Sequence, residues 1–86
     1  MRKEVEKFAQ GMEETLKTHD YKKGNSWKKT SIGQQEKELK DEVSKLSYDL
    51  NWCCRDPHKS MSQCLDVANR AMFIYSLLEE KNEHVE

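Results

Sequence analysis

Eight polar side chains in two short stretches have the types and spacing to do chemistry. Glu38, Glu42, Lys45 and Asp49 recur every three or four residues; Asp66 follows Gln63 by three, and Asn69 and Arg70 follow Asp66 by three and four. On a helix such spacing lines up one edge. Asp66 is the most telling of the eight. It stands in Cys64-Leu65-Asp66-Val67-Ala68-Asn69, among residues that expect burial. A carboxylate in such company is costly unless it is paired, hydrogen-bonded or bound to a cation. Two facing helices with carboxylates at this spacing make an oxygen pocket for a hard cation such as Mg²⁺. That ion can hold phosphate oxygens and polarise a water for attack. A plainer reading stands beside this one. The Glu38, Glu42, Lys45 and Asp49 row also suits a solvated helix face with ion pairs, which are common and weak. Asp66 also suits a single buried, hydrogen-bonded aspartate.

These residues need helices to position them, and the chain reads as three. The first runs from about Arg2 to Thr18, with Val5, Phe8, Met12 and Leu16 as one apolar stripe, weakened mildly by Gly11. A loop from His19 to Thr30 follows, centred on Gly24, Asn25 and Ser26. The second helix starts at Ser31, where Ser31 and Gln34 fit a capping box. Ile32, Leu39, Val43, Leu46 and Leu50 form its apolar stripe, and it ends between Asn51 and Cys54, ahead of Pro57. The third starts at Asp56-Pro57, an N-cap with proline just inside, or one turn later at Ser60, which with Gln63 offers a second capping box. Met61, Cys64, Leu65, Ala68, Ala71, Met72, Tyr75 and Leu78 mark one side, and Phe73, Ile74 and Leu77 continue the apolar surface round the other. The polar tail from Glu79 to Glu86 is expected to fray. With no strand signal and no repeat, the fold class is all-α and residues 1–86 form a single domain.

A chain of 86 residues buries little apolar surface by itself, yet Ala68 to Leu78 is apolar on most sides. A helix of that kind must be covered, so a homo-oligomer is expected. The net charge of −1 makes duplex nucleic acid a poor partner. No apolar run approaches the roughly 20 residues of a membrane helix, and Met1 to Glu6 has no apolar signal core. No membrane is therefore expected. Cys53, Cys54 and Cys64 are odd in number and follow no disulfide pattern, which suits a reducing, cytoplasmic setting. With His58 they read Cys-Cys-x3-His-x5-Cys, which lacks the Cys-x2-Cys pair of most structural zinc sites. Zinc is not expected, and neither is a cysteine nucleophile with His58 as its base. His19 and His84 fall in a loop and a tail and are given no role.

The two polar stretches resemble the signatures of the MazG-like nucleotide pyrophosphohydrolases. Leu39-Lys40-Asp41-Glu42-Val43-Ser44-Lys45-Leu46 looks like the first signature, two acids followed after two residues by a third. Gln63-Cys64-Leu65-Asp66-Val67-Ala68-Asn69 looks like the second, Glu-x-x-Asp followed by Val-Ala-Asn. Ala71-Met72-Phe73-Ile74-Tyr75, the opening Phe8-Ala9-Gln10-Gly11-Met12-Glu13 and the Lys23-Gly24…Trp27-Lys28 loop extend the likeness over about residues 5 to 80. The resemblance implies a three-helix fold assembling into a helical-bundle dimer or tetramer. It implies Mg²⁺-dependent cleavage of nucleoside triphosphates to monophosphate and pyrophosphate. It is also compatible with a phage origin. Carried over by position, Asp41, Glu42 and Asp66 match metal-binding acids, while Lys45 and Gln63 stand where the family has acids. Glu38 and Asp41, read one turn earlier, offer a substitute acid pair; Gln63 has none.

The expectation is thus a nucleotide-binding protein with a degenerate Mg²⁺ site and weak or absent hydrolysis, which sequesters or senses a nucleotide or a nucleotide-derived small molecule. Lys45 and Arg70 would contact phosphate, with Asn69 beside them. Lys23 and Lys28, in a basic cluster with Lys22 and Lys29, would add to this, and Trp27 or Tyr21 would stack on a base. In the plainer reading the lysines are a solvated loop and Trp27 packs on the first helix. The first alternative is an active enzyme, with Glu38, Glu42 and Asp66 catalytic. The second is a helical interaction module using Trp52 and the loop from Cys53 to His58.

Overall fold

A computed structural model describes residues 1–20, 26–52 and 56–84. They form α1 (Lys3–Asp20), a short 3₁₀ turn (Ser26–Lys29), α2 (Ile32–Asn51) and α3 (Pro57–His84). Among the described residues there is no strand, as the helical periodicity requires.

The helix starts follow local chemistry. Ser31 is extended and its Oγ accepts the Gln34 N–H at 3.0 Å, which satisfies one of the orphan donors of α2. At α3 the choice between two starts falls on Asp56. Its Oδ1 accepts the His58 N–H at 3.0 Å, its carbonyl accepts the Ser60 N–H, and Pro57 opens the helix. The ends differ from expectation. α1 continues two residues past Thr18, and α3 runs through the polar tail to His84. Glu79, Glu80, Lys81 and Glu83 are good helix formers, and neither glycine nor proline interrupts them.

The three helices run up, down and up, with α3 as the shared partner. α2 lies antiparallel to α3, with Asp49 near Lys59 at one end and Glu38 near Arg70 at the other. α1 packs on a different side of α3, and among the described residues the α1 and α2 backbones do not approach each other closely. Gly11 lets α1 come close: a Cβ there would sit 3.0 Å from Leu65 Cδ2. The molecule is therefore an open wedge whose groove is floored by α3 and walled by α1 and α2.

Little apolar surface is sealed off. Phe73, at 6% exposure, is the one buried hydrophobic residue among those described. Met12 and Leu16 on α1, Ile32, Leu39 and Leu46 on α2, and Cys64, Leu65, Ala68 and Met72 on α3 are half-buried. The remainder of each stripe is open: Val5 and Phe8 on α1, Val43 and Leu50 on α2, and Met61, Tyr75 and Leu78 on α3. No helix among the described residues is long and apolar enough to cross a membrane.

Candidate functional site

The groove has a volume of about 320 Å³. α3 contributes Asp66, Asn69, Arg70 and Phe73; α2 contributes Gln34, Gln35, Glu38 and Glu42; α1 contributes Thr15 and Leu16; and Trp27 and Thr30 close one end.

Gln35 organises it. At 2% exposure it is the most buried residue described, and both ends of its amide are used. Nε2 donates to Thr30 Oγ1 at 2.8 Å, and that hydroxyl donates to the Trp27 carbonyl at 2.6 Å. Oε1 accepts from Arg70 Nη1 at 3.3 Å. One buried amide therefore ties the 3₁₀ turn, α2 and α3 together. Fully satisfied, such a polar group specifies one arrangement.

Arg70 spans the floor. Beyond its bond to Gln35, its Nη2 lies 3.5 Å from Glu38 Oε2, and its guanidinium sits 5.8 Å from the Phe73 ring centroid. Phe73 in turn stacks on Trp27, with centroids 4.4 Å apart and planes 13° from parallel. Trp27 thus stacks on α3 and lines the groove together with Thr15 and Leu16 of α1. Lys28 Nζ lies 5.8 Å from the Trp27 ring.

Replacing Arg70 by methionine is expected to cost about 2–3 kcal/mol. Nearly all of this comes from stranding the buried Gln35 carbonyl, since an orphaned buried acceptor costs about 1–3 kcal/mol. The Glu38 pair is partly exposed and contributes little. Urea unfolding measures the loss. A double change, Arg70→Met with Gln35→Met, should recover part of it, because the stranded acceptor is then removed.

A second, shallower cleft of about 430 Å³ lies further along the α2–α3 seam, lined by Ser44, Lys45, Tyr48, Asp49, Lys59 and Gln63. The exposed Lys45 ammonium lies 3.5 Å from Glu42 Oε1, and Lys59 lies 3.7 Å from the buried Asp49 carboxylate. The register set by the Glu38–Arg70 and Asp49–Lys59 pairs makes Glu42 level with Asp66, and Lys45 level with Gln63. The groove and the cleft are lined accordingly.

The structure thus gathers Glu38, Glu42, Asp66, Asn69, Arg70 and Trp27 round one groove and sets Lys45 and Gln63 beside it. Asp41 is exposed and lines neither, and Lys28 is exposed at the groove's end. Tyr21, Lys22, Lys23, Gly24, Cys53 and Cys54 lie outside the described residues. Cys64 is half-buried and a free thiol, and His58 is exposed.

Gln35, Thr30 and Phe73 are site residues that sequence reasoning missed. Gln35 sits in a polar run with nothing to mark it as buried. Phe73 reads as one more apolar position, although aromatic residues are scarce enough in this chain for Trp27 and Phe73 to have suggested a pair.

Among the described residues, no three His, Cys, Asp or Glu side chains converge where they could hold a metal. Glu42 already faces an ammonium and Glu38 a guanidinium. Of the substitute pair, Glu38 lies at the groove 3.5 Å from Arg70, and Asp41 is exposed away from it.

Compared with known proteins, the chain matches no family model, no curated protein and no solved structure.

Proposed function

We propose that this chain is a MazG-like nucleotide-binding protein whose Mg²⁺ site is degenerate, so that it holds a nucleotide with weak or no hydrolysis. The observation that carries the reading is the α2–α3 register. It makes Glu42 level with Asp66 and Lys45 level with Gln63, so the two acids that match the resemblance and the two non-acids that depart from it are neighbours across the seam. The adjoining groove offers a stacked aromatic pair and a guanidinium, which suit a planar base and a phosphate. Any Mg²⁺ held by Glu42 and Asp66 alone would be bound weakly. The open apolar stripes on all three helices favour a homo-oligomer, dimer or tetramer, as the biological unit. A reducing, cytoplasmic setting belongs to the same reading.

The test is nucleoside triphosphate binding by calorimetry, with Mg²⁺ and with chelator, run beside a pyrophosphate-release assay. Binding should survive chelation, and release should stay at background. Mg²⁺-dependent release at rates typical of enzymes would instead establish the active pyrophosphohydrolase, with Glu38, Glu42 and Asp66 sufficient. Absence of both binding and release would favour an interaction module. The observation behind that reading is the exposed patch of Trp52, at 80% exposure, with Tyr48 and Met61.

A further inference from the structure

The hydrogen bonds of the groove leave one buried acceptor over. The Arg70 guanidinium gives one N–H to Gln35 and faces Glu38, with further N–H groups to spare. The Gln35 amide is engaged at both ends, by Thr30 and by Arg70. Asn69, at 5% exposure, lines the groove, and its Oδ1 is buried with no hydrogen-bond partner among the described residues. The orientation of this amide is not arbitrary. Nδ2 donates to the Met12 carbonyl of α1 at 3.4 Å, and exchanging N and O would set two carbonyl oxygens against each other. Oδ1 is therefore the end left over.

Among the described residues two other buried oxygens lack hydrogen-bond partners, Asp49 Oδ2 and Gln63 Oε1. Both belong to residues of the second cleft, where Lys45 and Lys59 stand on long, exposed stems and Lys59 already lies near the Asp49 carboxylate. A small movement of a lysine serves them. The described lining of the groove holds no lysine, and its guanidinium is turned toward Gln35 and Glu38. A buried acceptor left without a donor costs about 1–3 kcal/mol, and a ligand that brings the donor recovers it.

We propose that Asn69 Oδ1 accepts a hydrogen bond from the exocyclic amino group of a nucleobase, so that the groove selects amino-bearing bases over their keto counterparts. The inference rests on the nucleotide reading above and names the class of base. An amino group projects from the ring edge and can reach a recessed oxygen. It also carries two protons, so one remains after Asn69 has accepted the other. A keto oxygen in the same place turns an acceptor toward acceptors and leaves Asn69 unpaired. A ring N–H is recessed, and in a keto base it is flanked by at least one carbonyl that meets the same repulsion.

The test uses matched pairs that exchange the amino group for oxygen at one position: cytidine and uridine monophosphates, and adenosine and inosine monophosphates. Trp52→Phe leaves Trp27 as the only tryptophan, so its emission reports binding at the groove. The amino member of each pair should bind about tenfold tighter or more, the difference expected when a buried acceptor is paired and not stranded. Removing the ribose 2′-hydroxyl should change little. Asn69→Leu, checked for its helical circular dichroism, should bring the ratio close to one. If that variant does not fold, the matched pairs in the otherwise unchanged chain still decide. Equal affinities within each pair, a ratio that persists in Asn69→Leu, or a preference that follows the ribose hydroxyl would overturn this inference while leaving nucleotide binding intact. No binding of any nucleotide, triphosphates included, would overturn both.

Discussion

Replacing Phe73 by alanine is expected to lower the unfolding free energy by about 3–5 kcal/mol, the usual range for truncating a buried aromatic residue. Most sites in a chain of this size tolerate truncation better, because they are only half-covered. Phe73 is different. It is the one buried hydrophobic residue described, its ring is stacked on Trp27, and the Arg70 guanidinium lies within 6 Å of its centroid. Truncation leaves a void that Trp27 and Arg70 cannot both fill, since Arg70 is held by the buried Gln35. Against a total stability of about 5–15 kcal/mol for a typical domain, the loss leaves little margin. Urea unfolding followed by circular dichroism measures it, at fixed protein concentration because self-association would make the midpoint concentration-dependent. Phe8→Ala, at a position 43% exposed, is the control and should cost about 1 kcal/mol or less. Equal losses at the two positions would mean that Phe8 is covered by another subunit and that Phe73 is not the sole centre of the core.

The second large effect is a gain. Lys45→Glu combined with Gln63→Glu should raise Mg²⁺ affinity about a hundredfold and confer Mg²⁺-dependent pyrophosphate release on a chain proposed to have little or none. The physical reason is charge. The two changes remove one cation and add two anions at positions level with each other across the α2–α3 seam, next to Glu42 and Asp66. A unit charge pair at 4 Å is worth about 1 kcal/mol even in water, and a dication doubles it. Two new carboxylates and the loss of a competing ammonium carry the affinity by about two orders of magnitude after screening by solvent. Without Mg²⁺, four neighbouring acids repel one another, so the variant should unfold at a lower temperature than the natural chain. Mg²⁺ should restore it through binding to the folded state. That stabilisation is a readout independent of activity. If the variant binds Mg²⁺ no better than the natural chain, the four positions do not form one site. If the natural chain already hydrolyses, Lys45 and Gln63 do not disable it.

The two predictions draw on different layers of information. Lys45 and Gln63 were visible in the residue pattern alone, because a three-or-four spacing on a helix is a local property. Their alignment across the seam was not, because register between α2 and α3 depends on contacts such as Glu38 to Arg70 and Asp49 to Lys59. Phe73 shows the converse. Its apolar character was plain, but α3 is apolar on so many sides that periodicity could not single out the residue that is covered.

By itself the sequence determined that the fold is all-α and where α2 begins, and it narrowed the start of α3 to two sites one turn apart. Ser31 and Asp56-Pro57 satisfy orphan N–H groups within a few residues of themselves, and apolar spacing is read along a single element, so both are short-range effects. The tertiary structure decided which polar groups are buried. Gln35, Asp49 and Asn69 are sealed by packing between helices, while Val43 and Leu50, from the apolar stripe of α2, remain exposed. Burial is a sum over distant neighbours: Asn69 meets Met12, Gln35 meets Arg70 and Trp27 meets Phe73 only once α1, the 3₁₀ turn and α2 have docked on α3.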